Sequence, residues 1–206
     1  LRVKHLALAE VRLQPKASDS DSDSLVLPDS LALPLEIKVE DFSVDGFDLL
    51  GDEQEKMLSL QEIRLRARAK DSLVVEQAKI SQQQGWMTVE GRALLERPFT
   101  FDLDFVSEFA SPLQDGAEPT LLEAAASLSG QPEDYGLNVE GRVRPPEFEW
   151  HNVRLQSTGS LNGLDIYPLT VEGAGVQLET RVELDWQRMF VALSGFEAGI
   201  PGSPVV

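Results

Sequence analysis

Apolar and polar residues alternate along most of this chain with a period of two. From Met87 to Leu95, the residues Met87, Val89, Gly91, Ala93 and Leu95 share one parity, and Thr88, Glu90, Arg92 and Glu96 fall mostly on the other. Phe99, Phe101, Leu103 and Phe105 then alternate with Thr100, Asp102 and Asp104 across a polar break at Glu96-Arg97-Pro98. Successive side chains of a strand point to opposite faces, so each run predicts a strand with one apolar and one wet face.

The same reading extends in both directions. Residues 1–13 alternate with a parity shift, which predicts one strand or a bulged pair. From Leu33 the sequence Leu35, Ile37, Val39, slip, Phe42, Val44, slip, Phe47, Leu49 follows, with turn signals at Asp45-Gly46 and Gly51-Asp52. Leu58 to Ala69 fits helical spacing at Leu60, Ile63 and Ala67, but the Arg64, Arg66, Arg68, Lys70 row makes strand the better reading. Residues 121–128, LLEAAASL, fit helix by propensity and strand by alternation equally. Tyr135 to Val143, Phe148 to Leu155, an Asn162-Gly163 hairpin turn, and Val176 to Trp186 complete the pattern, followed by Met189, Val191 and Leu193. About a dozen short strands with regular turn signals is the all-β signature. VEGR at 89–92 returns at 139–142, and VEG at 171–173. These irregular echoes predict serial hairpins rather than a strict solenoid.

The expected organisation is leading strands at 1–13, an acidic low-complexity loop at 14–32 and a first β section at 33–105. A loop at 106–120, a second β section at 121–195 and a tail at 196–206 follow. Of the 206 residues, 42% are hydrophobic and 26% charged, as in ordinary globular chains. No apolar run approaches the ~18–20 residues needed to span a bilayer. The chain starts at Leu1 without an initiating Met or a signal sequence. It therefore reads as a piece of a longer protein, with any membrane anchor outside it. The net charge of −17, from 35 acidic and 18 basic residues, argues against nucleic acid and against docking on anionic headgroups. Cysteine is absent, which removes disulfides, thiol catalysis and thiolate metal sites and suits an oxidising compartment.

Candidate chemistry is sparse. Asp19, Asp21 and Asp23 match the first ligands of a calcium loop, but Ser24 stands where Gly belongs and Ser30 where Glu belongs. Asp102 and Asp104 lie on the wet parity of their strand. His5 and His151 are the only histidines, and no nucleophile elbow, zinc-protease or phosphate-loop motif occurs. No metal, cofactor or enzymatic activity is expected. Trp86, Trp150 and Trp186 read as packing residues. Gly91, Gly141, Gly159, Gly173 and Gly195 read as bulges or bends, which a curling sheet needs.

ISQQQGWMTVEGRALL, SLSGQPEDYGLNVEGRV, VRLQSTGSLNGLDIYPLTVEG and VQLETRVELDWQRMFVALSG resemble the repeat region of TamB and its AsmA-like relatives, over most of residues 33–195. VELDW at 182–186 stands where that family repeats a strand of this kind. The resemblance implies an all-β fold in which a long curled, antiparallel or mixed sheet of serial short strands forms a U-shaped trough, the β-taco, with an apolar interior. It implies a periplasmic segment of an inner-membrane-anchored, Gram-negative protein that partners an outer-membrane barrel of the TamA type. The implied cargo is phospholipid in transit between the two membranes. The groove-lining residues on this reading are Ile37, Val39, Phe42, Val44, Leu58, Leu60, Val89, Leu95, Phe99, Phe101, Leu103, Phe105, Leu137, Val139, Val176, Leu178, Val182 and Leu184. Two other classes stay open: a scaffold for outer-membrane barrel assembly by strand addition, and a plain structural β-domain whose apolar face is closed by a second sheet.

Overall fold

A computed structural model describes residues 1–13, 28–50, 56–112, 118–186, 188 and 190–200. The chain is all-β, with thirteen strands and no helix among the described residues. It divides into two compact units, Leu1–Phe99 and Thr100–Val206. The serine-rich run with Asp19, Asp21 and Asp23, the Gly51-Asp52 signal and residues 201–206 lie outside the described residues.

The first unit holds β1 (Arg2–Val3), β2 (Leu6–Leu13), β3 (Ile37–Leu50), β4 (Lys56–Ala69), β5 (Ser72–Gln82) and β6 (Gly85–Leu94). β3 to β6 pair antiparallel in chain order. β1 and β2 both lie parallel to β3, which makes the sheet mixed. The parity slips at Glu40-Asp41 and at Glu76-Gln77 are β-bulges inside continuous strands. β3 shifts register between Val39 and Phe42, and β5 between Val75 and Ala78. Asp45-Gly46 is therefore not a turn. Gly46 takes a φ of 82° inside β3, level with Glu10 at 53° on β2, and the register on both sides of β3 runs through this point without a shift.

The second unit holds β7 (Phe101–Pro112), β8 (Pro119–Gln131), β9 (Asp134–Arg144), β10 (His151–Ser160), β11 (Gly163–Gly173), β12 (Val176–Asp185) and β13 (Phe190–Gly199), antiparallel in chain order. The ends of the expected 106–120 loop are strand: β7 continues to Pro112 and β8 starts at Pro119. The undecided LLEAAASL stretch is strand, because Ala124, Ala126 and Leu128 meet Gly141, Val139 and Leu137 across the ladder. The hairpin expected at Asn162-Gly163 turns one residue earlier, on Leu161-Asn162, with Gly163 already paired to Ser160. β11 and β12 are joined by Ala174-Gly175, with φ of 50° and 76°. Two consecutive positive φ values are what a two-residue type I′ hairpin needs. Among the described residues β7 and β13 do not pair with each other, so the second unit's sheet is not closed into a barrel.

Candidate functional site

The cross-strand register turns the alternation into rows. In the second unit Leu103, Leu128, Leu137, Ser157, Ile166, Val182 and Leu193 are successive partners, one from each of seven strands. The row beside it runs Phe101, Gly130, Tyr135, Gly159, Leu164, Leu184, Val191. On the other side lies Phe105, Ala126, Val139, Leu155, Leu169, Thr180, and beyond it Ser107, Ala124, Gly141, Val153, Val171, Leu178, Ala198. No Asp, Glu, Lys or Arg enters these rows. With strands about 4.8 Å apart, a row across seven strands spans roughly 29 Å, and four rows about 20 Å along the strands. The footprint, about 600 Å², is at the upper end of the apolar patches that monomers expose.

The first unit repeats the arrangement. Leu8, Val44, Ile63, Ile80 and Met87 form one row, and Leu6, Phe42, Leu65, Ala78 and Val89 the next. Val3, Val39, Ala67, Val75 and Gly91 follow. Ile37 leads a row through Ala69, while Leu60 and Leu58 pair with Phe47 and Leu49.

These faces have no closed core behind them. Among the described residues only Val44, Ala67 and Phe99 are buried hydrophobic side chains, and no side chain is fully buried. Most of the row residues are half-buried, while Leu6, Leu8, Leu58, Val191 and Leu193 are exposed. Ser157, in the middle of its row, is the one buried polar residue among the described residues, and its Oγ donates to the Leu137 carbonyl at 3.1 Å. Two glycines make room for rings on this face. A Cβ at Gly159 would overlap the ring of Tyr135, which also meets Phe101 at 6.2 Å between centroids. A Cβ at Gly173 would overlap the imidazole of His151.

The register places fifteen of the eighteen expected lining residues in these rows and pairs, within two separate units, and sets a sixteenth, Val176, opposite Gly173 just beyond them. Leu95 and Phe99 are the exceptions. β6 ends at Leu94, and the Leu95 amide donates to the Asp71 carbonyl outside the strand. Phe99 precedes β7 with a φ of 55°, and its amide closes a turn onto the Glu96 carbonyl at 2.8 Å. The alternation of Phe99 with Phe101 hid this turn, because Pro98 and the positive φ break a parity that the side chains alone continue. Ile63, Leu65, Ile80, Leu128, Tyr135, Leu155 and Ile166 belong to the same rows and were legible by the same alternation.

The opposite faces carry the charge. On the first unit Arg2 bonds Glu40 at 2.6 Å and holds its carboxyl below the usual carboxylate range, with Lys38 adding to the effect. Lys56 and Ser59 do the same to Asp48. Asp165 binds Arg181 and raises its pKa. Arg142 stacks on Trp150 at 4.6 Å and pairs with Glu123, and Lys79 lies over Trp86 at 5.8 Å. The two tryptophans thus stack with cations rather than filling a core. His5 meets Asp41 at 2.8 Å and His151 meets the Glu149 carbonyl at 2.8 Å, and neither contact includes a nucleophile. No cluster of potential metal ligands occurs among the described residues.

Comparison with known protein families, with curated proteins and with solved structures finds no match.

Proposed function

We propose that this chain is a periplasmic segment of a TamB-like protein, whose apolar rows shelter phospholipid acyl chains moving between the inner and outer membranes. The observation that carries the reading is the uncharged wall of the second unit: seven strands wide, and without one fully buried side chain among its described residues. A sandwich closes such a face with a second sheet and buries its large residues almost completely. A trough leaves them half-open for a guest. Each methylene sheltered there contributes roughly 0.8 kcal/mol, so about ten of them supply on the order of 8 kcal/mol without any charged group. The wet faces, rich in acidic residues, keep such a protein in solution and add nothing to tail binding. The outer-membrane partner on this reading is a barrel of the TamA type, which receives the lipid at the far end of the sheet.

A photo-crosslinking residue at Phe101 or Val182 is expected to capture phospholipid, and one at Asp102, on the opposite face, is not. Native mass spectrometry of the purified chain is expected to show co-purified phospholipid. Equal capture from both faces, or capture from neither, would overturn the reading.

A further inference from the structure

The apolar face of the second unit has a fifth row, along the line where several of its strands stop. Phe109, Leu122, Val143 and His151 are successive partners across β7 to β10. Gly173 comes next, on β11, and pairs with Val176 on β12. β9 ends one residue beyond Val143, β10 begins at His151, β11 ends at Gly173 and β12 begins at Val176. This row is therefore the margin of the face. His151 is the one side chain in the five rows that can become a cation near neutral pH.

The ring is held on two sides. Gly173 has no side chain, so the imidazole lies against the β11 backbone in the space a Cβ would fill. Nδ1 donates to the Glu149 carbonyl at 2.8 Å, because a carbonyl oxygen can only accept. That bond leaves Nε2 as the nitrogen that can meet a ligand, and Nε2 has no hydrogen-bond partner among the described residues. β9 and β11, which flank β10, put no charged side chain on this face. Arg142, Arg144 and Glu172 lie on the other, and Glu147 and Glu149 are exposed in the turn before β10. A half-buried imidazolium at this place lacks a counter-ion.

A guest whose tails lie in the four inner rows brings its polar end to this margin. In a phospholipid the first charged group beyond the tails is the phosphodiester, which every headgroup shares. We infer that, with the tails sheltered as proposed above, His151 is the contact for that phosphate. Nε2–H of the imidazolium donates to a non-bridging phosphate oxygen, and Nδ1–H stays on the Glu149 carbonyl. The phosphate supplies the counter-ion that the face lacks, in a charge-assisted bond. One well-placed polar group at the rim of an apolar site fixes how its ligand is oriented. Where the free ring is neutral, binding takes up a proton, so affinity rises as pH falls.

The test compares two ligands on the purified chain by titration calorimetry: dihexanoyl phosphatidylcholine below its micellar concentration, and dihexanoylglycerol, which has the same tails and no phosphate. The phospholipid is expected to bind about fivefold tighter at pH 6 than at pH 8, and dihexanoylglycerol equally at both. His151→Phe, which keeps a flat ring over Gly173, is expected to remove this pH dependence and leave dihexanoylglycerol binding unchanged. Gly173→Ala, which displaces the ring, is expected to do the same, and His5→Phe to leave the dependence intact. By nuclear magnetic resonance, the His151 Hε1 signal is expected to move toward its acid position when phospholipid is added at pH 7, and to stay in place with dihexanoylglycerol. A pH dependence that survives His151→Phe, or that dihexanoylglycerol shares, overturns the inference and leaves the sheltering of tails standing. Inorganic phosphate that moves the signal as far as the lipid does also overturns it, by making a free anion the ligand. Binding of neither tailed ligand overturns the sheltering itself, and the headgroup contact with it.

Discussion

Val44 and Leu193 are both aliphatic residues on the apolar parity of their strands, but they occupy opposite ends of the burial range. Val44 is 4% exposed, with Leu8 and Ile63 as its partners on either side, whereas Leu193 is 73% exposed and, among the described residues, is paired on one side only, with Val182. Val44→Ala is expected to destabilise the first unit by about 1–3 kcal/mol, since its neighbours close only partly over the lost methyls. Leu193→Ala is expected to change stability by less than ~0.5 kcal/mol. Urea denaturation followed by far-UV circular dichroism measures both. Gly141 is a stricter position. A Cβ there would meet the Glu123 carbonyl and the Ala124 backbone, neither of which can swing aside as a side chain does. Gly141→Val is expected to cost about 1–3 kcal/mol through overpacking, read as a lowered Tm. The recurrent glycines were visible in the sequence. That Gly141, Gly159 and Gly173 yield space to a neighbouring strand, rather than bending their own, depends on partners 15 or more residues away.

At the scale of elements, β3 shows why a parity slip is ambiguous. Alternation interrupted at Glu40-Asp41 and again at Asp45-Gly46 fits a bulge or a turn equally well from local sequence. The ladder with β4 keeps all of Ile37–Leu50 in one strand: the slip at Glu40-Asp41 is a bulge, and the pairing runs through Asp45-Gly46 without a shift of register. β8 is a second case. Its alanines carry helix propensity, and pairing on both sides overrides it. Two exposed ion pairs fasten the first unit's edge: Arg2 on β1 with Glu40 on β3, and Lys56 on β4 with Asp48 on β3. Both carboxyls are held below their ordinary pKa, so their contribution is complete above the ordinary carboxylate range and fades as pH falls through the lowered values. Acidification below pH ~4 is therefore expected to speed exchange of the Val3 and Lys38 amides before those of β5. Glu40→Gln is expected to show that faster exchange already at neutral pH, by nuclear magnetic resonance.

At the scale of the molecule, the absence of fully buried side chains among the described residues makes stability a function of what covers the rows. If phospholipid does so, Tm rises with lipid concentration by linkage, gaining about 2.7 kcal/mol at a hundredfold excess over Kd. Differential scanning calorimetry with short-chain phospholipid below its micellar concentration measures the shift. Val139→Asp, in the middle of a row, is expected to weaken it at least tenfold, and Asn138→Asp, on the other face, to leave it unchanged. The amino-acid sequence by itself determined which residues share a face, because a strand's side chains alternate by covalent geometry whatever lies beside it. It also determined the all-β class and the absence of charge from one face. Only the tertiary structure decided which residues stand in one row, that the Glu40-Asp41 slip is a bulge, and that Leu95 and Phe99 leave the strands. Those features depend on hydrogen-bond register between segments distant in the chain, and a shift of one residue in that register turns every side chain to the other face.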